Sequence, residues 1–308
     1  MRALVTGGAG FIGSHLVDAL LDAGDEVTVV DHLQRGHTDN LAGAMERGIG
    51  LVRADVTDVG GMLFAFQQHR PEVVYHLAAQ IDVRRSVEDP STDAHVNIGG
   101  TAAVLEAARD TGGPRVLLAS TAGVYGEPAM LPVPEDAPLA PLSPYGAGKA
   151  AAESYLELFR RLHGLSTLTL RLSNVYGPRQ DPHGEAGVIA IFCGAAAEGA
   201  PEVTIFGDGS QTRDYIYVGD VVAAFVAAGR SGLDGVLNVA TGTETPLTDV
   251  AAQLGLTAQH APPRPGEVER SCLDPTAAGE RLGWRAEVLL ADGLERTLRA
   301  VARPAASG

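Results

Sequence analysis

Ala3-Leu4-Val5-Thr6-Gly7-Gly8-Ala9-Gly10-Phe11-Ile12-Gly13 is the stretch that decides the fold. A short apolar run, suited to a strand buried on both faces, passes directly into a glycine loop, and the loop opens into helical spacing over residues 12–23. Gly7, Gly10 and Gly13 form G-x-x-G-x-x-G. One glycine makes the tight turn, the next lets the backbone approach a pyrophosphate, and the third lets helix and strand pack closely. The helix start then presents free N–H groups and a positive partial charge to an anion. A glycine triplet alone is weak; strand, loop and helix in this order read as a dinucleotide-binding unit.

Outward from this unit the pattern repeats. Continuous apolar runs at 3–6, 26–30, 50–53, 73–77 and 116–120 alternate with helical spacing at 12–23, 62–69 and 97–110, and a further strand is expected at 167–172 after a long helix at 145–163. Such alternation predicts right-handed βαβ units and an α/β fold, a Rossmann-like doubly wound parallel sheet. After Gly177 proline and glycine become frequent, in Gly177-Pro178-Arg179-Gln180-Asp181-Pro182-His183-Gly184 and in Pro262-Pro263-Arg264-Pro265-Gly266. These read either as ordered loops around a ligand or as plain linkers. The expected division is a dinucleotide-binding domain over 1–170, rejoined by segments around 213–243, and a smaller C-terminal substrate lobe over 171–308.

Composition removes several functions. The chain has 308 residues, is 45% hydrophobic, and contains no run of 18 apolar residues, so no transmembrane helix is expected. The glycine loop interrupts the N-terminus before a secretory core could form, which predicts a cytoplasmic protein. A net charge of −15 argues against nucleic acid or an anionic membrane as partner. An anionic substrate must then be held by a few placed arginines. Cys193 and Cys272 form neither a disulfide framework nor a metal-ligand spacing. The lone histidines His76, His95, His183 and His260 show no ligand spacing either, so no metal is expected and they receive no role.

Asp31 follows the second strand, 18 residues after Gly13, where a carboxylate accepts hydrogen bonds from both adenosine ribose hydroxyls and repels a 2′-phosphate. That selects NAD over NADP, with Arg35 read as a solvated loop residue. Asp55-Val56, just after the third strand, is placed to meet the adenine. Tyr145-Gly146-Ala147-Gly148-Lys149 puts a phenol and an ammonium at i and i+4, on one helix face, with Pro144 suited to the helix start. Of 23 basic residues only Lys149 is lysine. A compact ammonium fits between ribose hydroxyls and a ring better than a planar guanidinium does. At ~4 Å it is worth up to ~4 kcal/mol to a phenolate at an effective dielectric of 20, so the expectation is a tyrosine pKa lowered toward working pH, a general base for a sugar or alcohol hydroxyl.

The glycine loop, Tyr145/Lys149 and Ser120-Thr121-Ala122-Gly123-Val124-Tyr125-Gly126 together resemble the extended short-chain dehydrogenase/reductase superfamily over nearly the whole chain. His76-Leu77-Ala78-Ala79-Gln80, Asn97-Ile98-Gly99-Gly100-Thr101, Arg171-Leu172-Ser173-Asn174-Val175-Tyr176-Gly177-Pro178 and Arg213-Asp214-Tyr215-Ile216-Tyr217-Val218 are similar to its nucleotide-sugar enzymes, the NAD-dependent epimerase/dehydratase family. Gln80-Ile81-Asp82-Val83-Arg84-Arg85-Ser86 and the 177–187 loop are most similar to UDP-glucose 4-epimerases of actinobacterial type.

The resemblance implies Thr121 as the third catalytic residue beside Tyr145 and Lys149, with Ser120 as the nearby alternative. It implies NAD contacts from Gly7, Gly10, Phe11, Ile12, Gly13, Asp31, His32, Asp55, Val56, Leu77, Ala78, Ala79, Asn97, Tyr145 and Lys149. On the substrate side it implies that Arg213 and Arg264 bind the diphosphate of a UDP-sugar and that Asn174 fixes sugar and diphosphate. Glu267 takes the ribose, Val188, Phe206 and Tyr215 line the pocket, and Ser271 gates the hexose with room for an N-acetyl group. The family's 4,6-dehydratases carry an Asp-Glu pair where this chain has Ala122 and Gly123, so elimination lacks its acid and base and 4-epimerisation through a 4-keto sugar is expected. Alternatives are a 4-epimerase of another nucleotide sugar, an oxidoreductase that releases reduced cofactor, and a catalytically silent NAD-binding protein. Helices at 97–110 and 145–163 imply a homodimer by the same resemblance.

Overall fold

Strand β1 (Arg2–Thr6) sends Ala3 and Val5 into one apolar cluster and Leu4 into another, and all three are buried. A strand covered on both faces favours apolar residues at successive positions, as in β1. The structure is a computed structural model describing residues 1–182, 187–262 and 268–302. After β1 come helix α1 (Phe11–Asp22), β2 (Glu26–Val30), α2 (Ala42–Glu46), β3 (Gly50–Val52), α3 (Val59–His69), β4 (Val73–His76), α4 (Val83–Glu88), α5 (Pro90–Ala94), α6 (Gly100–Asp110), β5 (Arg115–Thr121), α7 (Pro144–His163) and β6 (Thr167–Leu172). The rest of the chain forms β7 (Asn174–Tyr176), α8 (Val188–Ala197), β8 (Glu202–Phe206), β9 (Thr212–Arg213), β10 (Tyr215–Tyr217), α9 (Val218–Arg230), β11 (Gly235–Val239), β12 (Thr245–Pro246), α10 (Leu247–Gln253), β13 (Thr257–Ala261), β14 (Arg270–Ser271), α11 (Thr276–Leu282) and α12 (Leu290–Val301).

Seven strands make one parallel sheet in the order β11-β6-β5-β4-β1-β2-β3. Leu16, Val17 and Leu20 of α1 and Val221 and Phe225 of α9 cover one face; Met62 and Phe66 of α3, Val104 of α6 and Leu156 of α7 cover the other. The strand order reverses between β1 and β4, so the carboxyl ends of these strands open a crevice, the usual ligand position in such sheets. A third cluster, with Phe192, Ile205, Tyr215, Val250 and Leu294, forms the core of the C-terminal part.

Two differences from the expected elements matter. The helix expected at 97–110 begins earlier: α5 starts at Pro90, capped by Asp89, whose carboxylate accepts the Thr92 N–H at 3.1 Å. The polar run Ser91-Thr92-Asp93 hid this start from apolar periodicity. Between α5 and α6 the helix widens into a π turn at His95–Gly99, which carries Asn97. In addition, α7 is capped by Ser143, whose hydroxyl accepts the Gly146 N–H at 3.1 Å, and Pro144 sits at its first turn.

Candidate active site

The glycine loop is built so tightly that two of its glycines have no substitute. Gly7 has φ +71°, and a Cβ there would lie 2.7 Å from the Ala78 nitrogen. A Cβ on Gly13 would lie 2.2 Å from the Gly7 carbonyl oxygen. These contacts press α1 against β1 and against the segment after β4. Gly10 precedes α1 with no side-chain cap, and the first turn holds no acidic residue. The amides of Phe11, Ile12 and Gly13 at this helix start therefore have no acceptor within the helix and suit a pyrophosphate.

Asp31 follows β2 directly and is buried. Its Oδ2 accepts the Ala9 N–H at 3.0 Å and its Oδ1 the Leu33 N–H at 2.8 Å. These bonds fix the carboxylate at the loop and leave a lone pair on each oxygen for ribose hydroxyls. His32 is beside it, with Nδ1 3.7 Å from Asp31 Oδ1. Arg35, expected to be solvated, is exposed but turns to Asp82 at 3.4 Å. Asp55 lies after β3; burial works against its charge, but the Thr57 N–H and hydroxyl, both 2.9 Å from Oδ1, hold its pKa below the usual carboxylate value. Val56 is buried under α6, where Gly100 allows the approach. Leu77, Ala78 and Ala79 continue from β4, with the Ala78 N–H 3.3 Å from Thr6 Oγ1. Glycine cradle, uncapped helix start and fixed carboxylate together fit a dinucleotide of NAD type.

Thr121 ends β5 and Tyr145 and Lys149 lie on α7, and the fold brings the three together. The Thr121 hydroxyl lies near enough to the Tyr145 phenol to favour its ionised form. Thr121 Oγ1 also accepts the Gly123 N–H at 3.1 Å, capping a short 3₁₀ turn at Ala122–Val124. Ser120, the alternative to Thr121, is turned the other way and donates to Glu153 Oε1. Lys149 is 4% exposed, and its ammonium donates to the Ala119 carbonyl at 2.9 Å.

The expected acidity of Tyr145 is not what this geometry produces. Burial pushes the phenol up to about 12, the nearby Thr121 hydroxyl counteracts, and the Asp93 carboxylate pushes further up. Lys149 is itself pulled down to about 8 by burial, against the pull of Asp93 and Glu153. In the protein alone, desolvation sets the direction of both shifts.

Sequence reading also missed a buried polar layer under this pair. His76, given no role, is 1% exposed and bridges two hydroxyls, with Nδ1 2.7 Å from Thr6 Oγ1 and Nε2 3.1 Å from Thr101 Oγ1. Thr101 donates to the Asn97 carbonyl at 2.7 Å. Burial and the Lys149 charge push His76 down to about 3, so it is neutral. Asn97 uses its side chain on the segment after β4, accepting the Gln80 N–H at 2.9 Å and donating to the Gln80 carbonyl at 3.0 Å. Glu153, one turn after Lys149, pairs with Arg171 at 2.7 Å, both buried.

On the substrate side Asn174 starts β7 exposed, paired in register with Tyr215 of β10. Arg213 on β9 is aligned between Thr245 and Ser271, and its Nη1 donates to the Thr212 carbonyl at 2.8 Å. Tyr215 is buried with its hydroxyl unpartnered, Phe206 ends β8 half-buried, and Val188 begins α8. Arg264 and Glu267 lie outside the described residues, as does His183.

A family model described as the NAD dependent epimerase/dehydratase family matches residues 3–240. A protein of Mycolicibacterium smegmatis named UDP-glucose 4-epimerase is 49% identical over 97% of both chains. Among solved structures, the UDP-glucose 4-epimerase of Thermotoga maritima with UDP-glucose superposes with a TM-score of 0.93 at 44% identity, covering 97% of this chain and 98% of that one. The UDP-glucose 4-epimerase of Thermus thermophilus, in complex with NAD, gives 0.90 at 45% identity, covering 98% and 99%.

Proposed function

This chain belongs to the NAD dependent epimerase/dehydratase family, and from that premise we propose that it interconverts UDP-glucose and UDP-galactose by inverting C4, with NAD as its resident cofactor. The observation that carries the reading is Thr121 against the Tyr145 phenol, one helical turn from Lys149, beside residues 122 and 123 that carry no acid or base. Oxidation at C4 is provided for; elimination or decarboxylation is not.

NAD⁺, which the glycine loop and Asp31 would hold, would supply a hydride acceptor and donor for C4 and a positive ring charge. Tyr145 takes the proton of the sugar O4 hydroxyl as the carbonyl forms and returns it when the carbonyl is reduced. Thr121 orients the phenol through its hydroxyl. Lys149 keeps positive charge next to the phenol, where water is excluded and charge acts strongly. Arg213 and Asn174 hold the diphosphate end, so the 4-keto sugar turns over without leaving and is reduced on its other face. Binding energy far from the reacting carbon thus governs the outcome.

Purified protein given UDP-galactose without added NAD is expected to form UDP-glucose until both sugars are present at equilibrium, measured by chromatography of the nucleotide sugars. A demand for NAD in stoichiometric amount would instead mark a dehydrogenase. UDP-GalNAc in the same assay tests whether Ser271, small and aligned with Arg213 across β9 and β14, leaves room at C2.

The chain is further proposed to be a homodimer. Tyr155, Leu158 and Leu162 are spaced along one side of α7 and exposed, as are Val83 and Val87 of the adjoining α4. On this flank of the fold the exposed large apolar side chains among the described residues thus lie on α7 and α4 rather than on α6, which sequence reading had paired with α7. A doubled mass by sedimentation, halved in Leu158→Glu/Leu162→Glu, checks this; a monomeric parent protein rejects it.

A further inference from the structure

Gly148 stands inside α7 between Tyr145 and Lys149, where glycine costs about 1 kcal/mol relative to alanine. A Cβ there would lie 3.1 Å from Asp93 Oδ2 and 3.3 Å from Asn97 Cβ. The glycine lets a carboxylate lie against the helix one residue before the lysine. Asp93 is 1% exposed. Its Oδ1 accepts from Gln80 Nε2 at 2.9 Å and from Asn97 Nδ2 at 3.0 Å. Backbone partners fix both amides in this orientation, because Asn97 Oδ1 accepts the Gln80 N–H and Gln80 Oε1 accepts the Asp82 N–H. Asp93 Oδ2 is buried with no hydrogen-bond partner. A carboxylate placed this way needs a compensating charge.

The charged and titratable groups around it narrow the choice. Glu153 of α7 is occupied by Arg171 of β6 and by Ser120 of β5. His76 of β4 is neutral, and Tyr145 of α7 is a phenol. Arg84 and Arg85 lie on α4, which packs against both α5 and α7. Lys149, one residue after Gly148, is the buried cation; its ammonium makes no ion pair with Asp93 within 4.0 Å but donates to Ala119, and Asp93 favours its charge through space, ahead of Glu153. We infer that Asp93 is the buried counter-ion of Lys149 and a positioning residue for the reaction, keeping the ammonium charged beside Tyr145 while its other oxygen ties the π turn at Asn97 to the segment at Gln80. The inference rests on Tyr145 and Lys149 being the reacting pair, but the charge it assigns is measurable without turnover.

Because the chain has a single lysine, protein labelled with ¹³Cε-lysine gives one side-chain resonance whose shift with pH reads the charge of Lys149 directly. The wild-type midpoint is expected at about 8. In Asp93→Asn it should fall by about one pH unit, the lower end of the effect of removing a nearby opposite charge. The alkaline limb of the kcat–pH profile should fall with it. Asp93→Glu, which keeps the charge and spoils the fit, should titrate near wild type even where turnover drops. An unmoved midpoint in Asp93→Asn, or Asp93→Glu moving as far as Asp93→Asn, overturns the inference. Should neither variant fold, a wild-type midpoint near 5–6, roughly the value of a buried lysine without a counter-charge, overturns it as well. Failure of the UDP-galactose assay with the expected lysine titration would reject the proposed function and leave the counter-ion standing.

Discussion

Tyr145→Phe is expected to lower kcat by about 10²–10⁴-fold, the usual worth of a positioned acid–base group, with KM for UDP-galactose changed only a few-fold. The substitution removes one oxygen and keeps the ring that packs at the start of α7. Gly7, Gly10, Gly13 and Asp31 are untouched, so the protein should still carry NAD, released by denaturation and read by absorbance. Thr121 keeps its bond from the Gly123 N–H, so the 3₁₀ turn should survive. Stability should hold or rise slightly, because a phenol pushed up to about 12 by burial is a poorly solvated group. Retained NAD with lost turnover separates a proton carrier from a residue that merely lines the cofactor. Turnover within about tenfold of wild type would remove Tyr145 from the mechanism.

Much of this was legible in the sequence, for physical reasons that can be named. β1, β4 and β5 carry apolar residues at successive positions because helices cover both faces of the sheet, and such runs stand out. The glycine loop was legible because backbone contacts as close as those at Gly7 and Gly13 admit no side chain. Tyr145 and Lys149 were legible because local helical spacing puts them on one face. What escaped depends on partners far along the chain. Nothing near Glu153 announces that Arg171 will cover it, and nothing near His76 announces hydroxyls from Thr6 and Thr101. The sign of the Tyr145 shift escaped for the same reason: spacing shows the phenol and the ammonium but not the burial that raises the phenol's pKa. One signal was available and unused. Gly148 interrupts a helix between the two proposed reacting residues, and a helix-interior glycine commonly marks the close approach of another element, here Asp93.

The second large effect concerns what holds the pair in place. Glu153→Ala is expected to cost about 3–5 kcal/mol, because it strands a buried guanidinium. Glu153 Oε2 is 2.7 Å from Arg171 Nη2, Arg171 Nε is 3.1 Å from both carboxylate oxygens, and the two side chains are 6% and 5% exposed. The other arm of the guanidinium donates to the Tyr125 hydroxyl at 2.7 Å and to the Glu135 carbonyl at 3.0 Å, and Tyr125 donates in turn to Asn238 of β11. Removing the carboxylate therefore unsettles β5, β6, β11 and α7 together. At roughly 2–4 °C of Tm per kcal/mol for chains of this class, the fall should be about 10 °C by calorimetry. Ser120 also loses its acceptor, one residue from Thr121, so activity should drop even below the melting range. The pair need not be a net source of stability, since two buried ions repay their desolvation only with full hydrogen bonding. Glu153→Leu/Arg171→Met should accordingly recover most of the loss seen in either single variant, while turnover stays low because neither apolar side chain can hold Ser120 or Tyr125. A Glu153→Ala protein melting within about 2 °C of wild type would mean that water reaches Arg171 and that the layer beneath Tyr145 and Lys149 is not a rigid support.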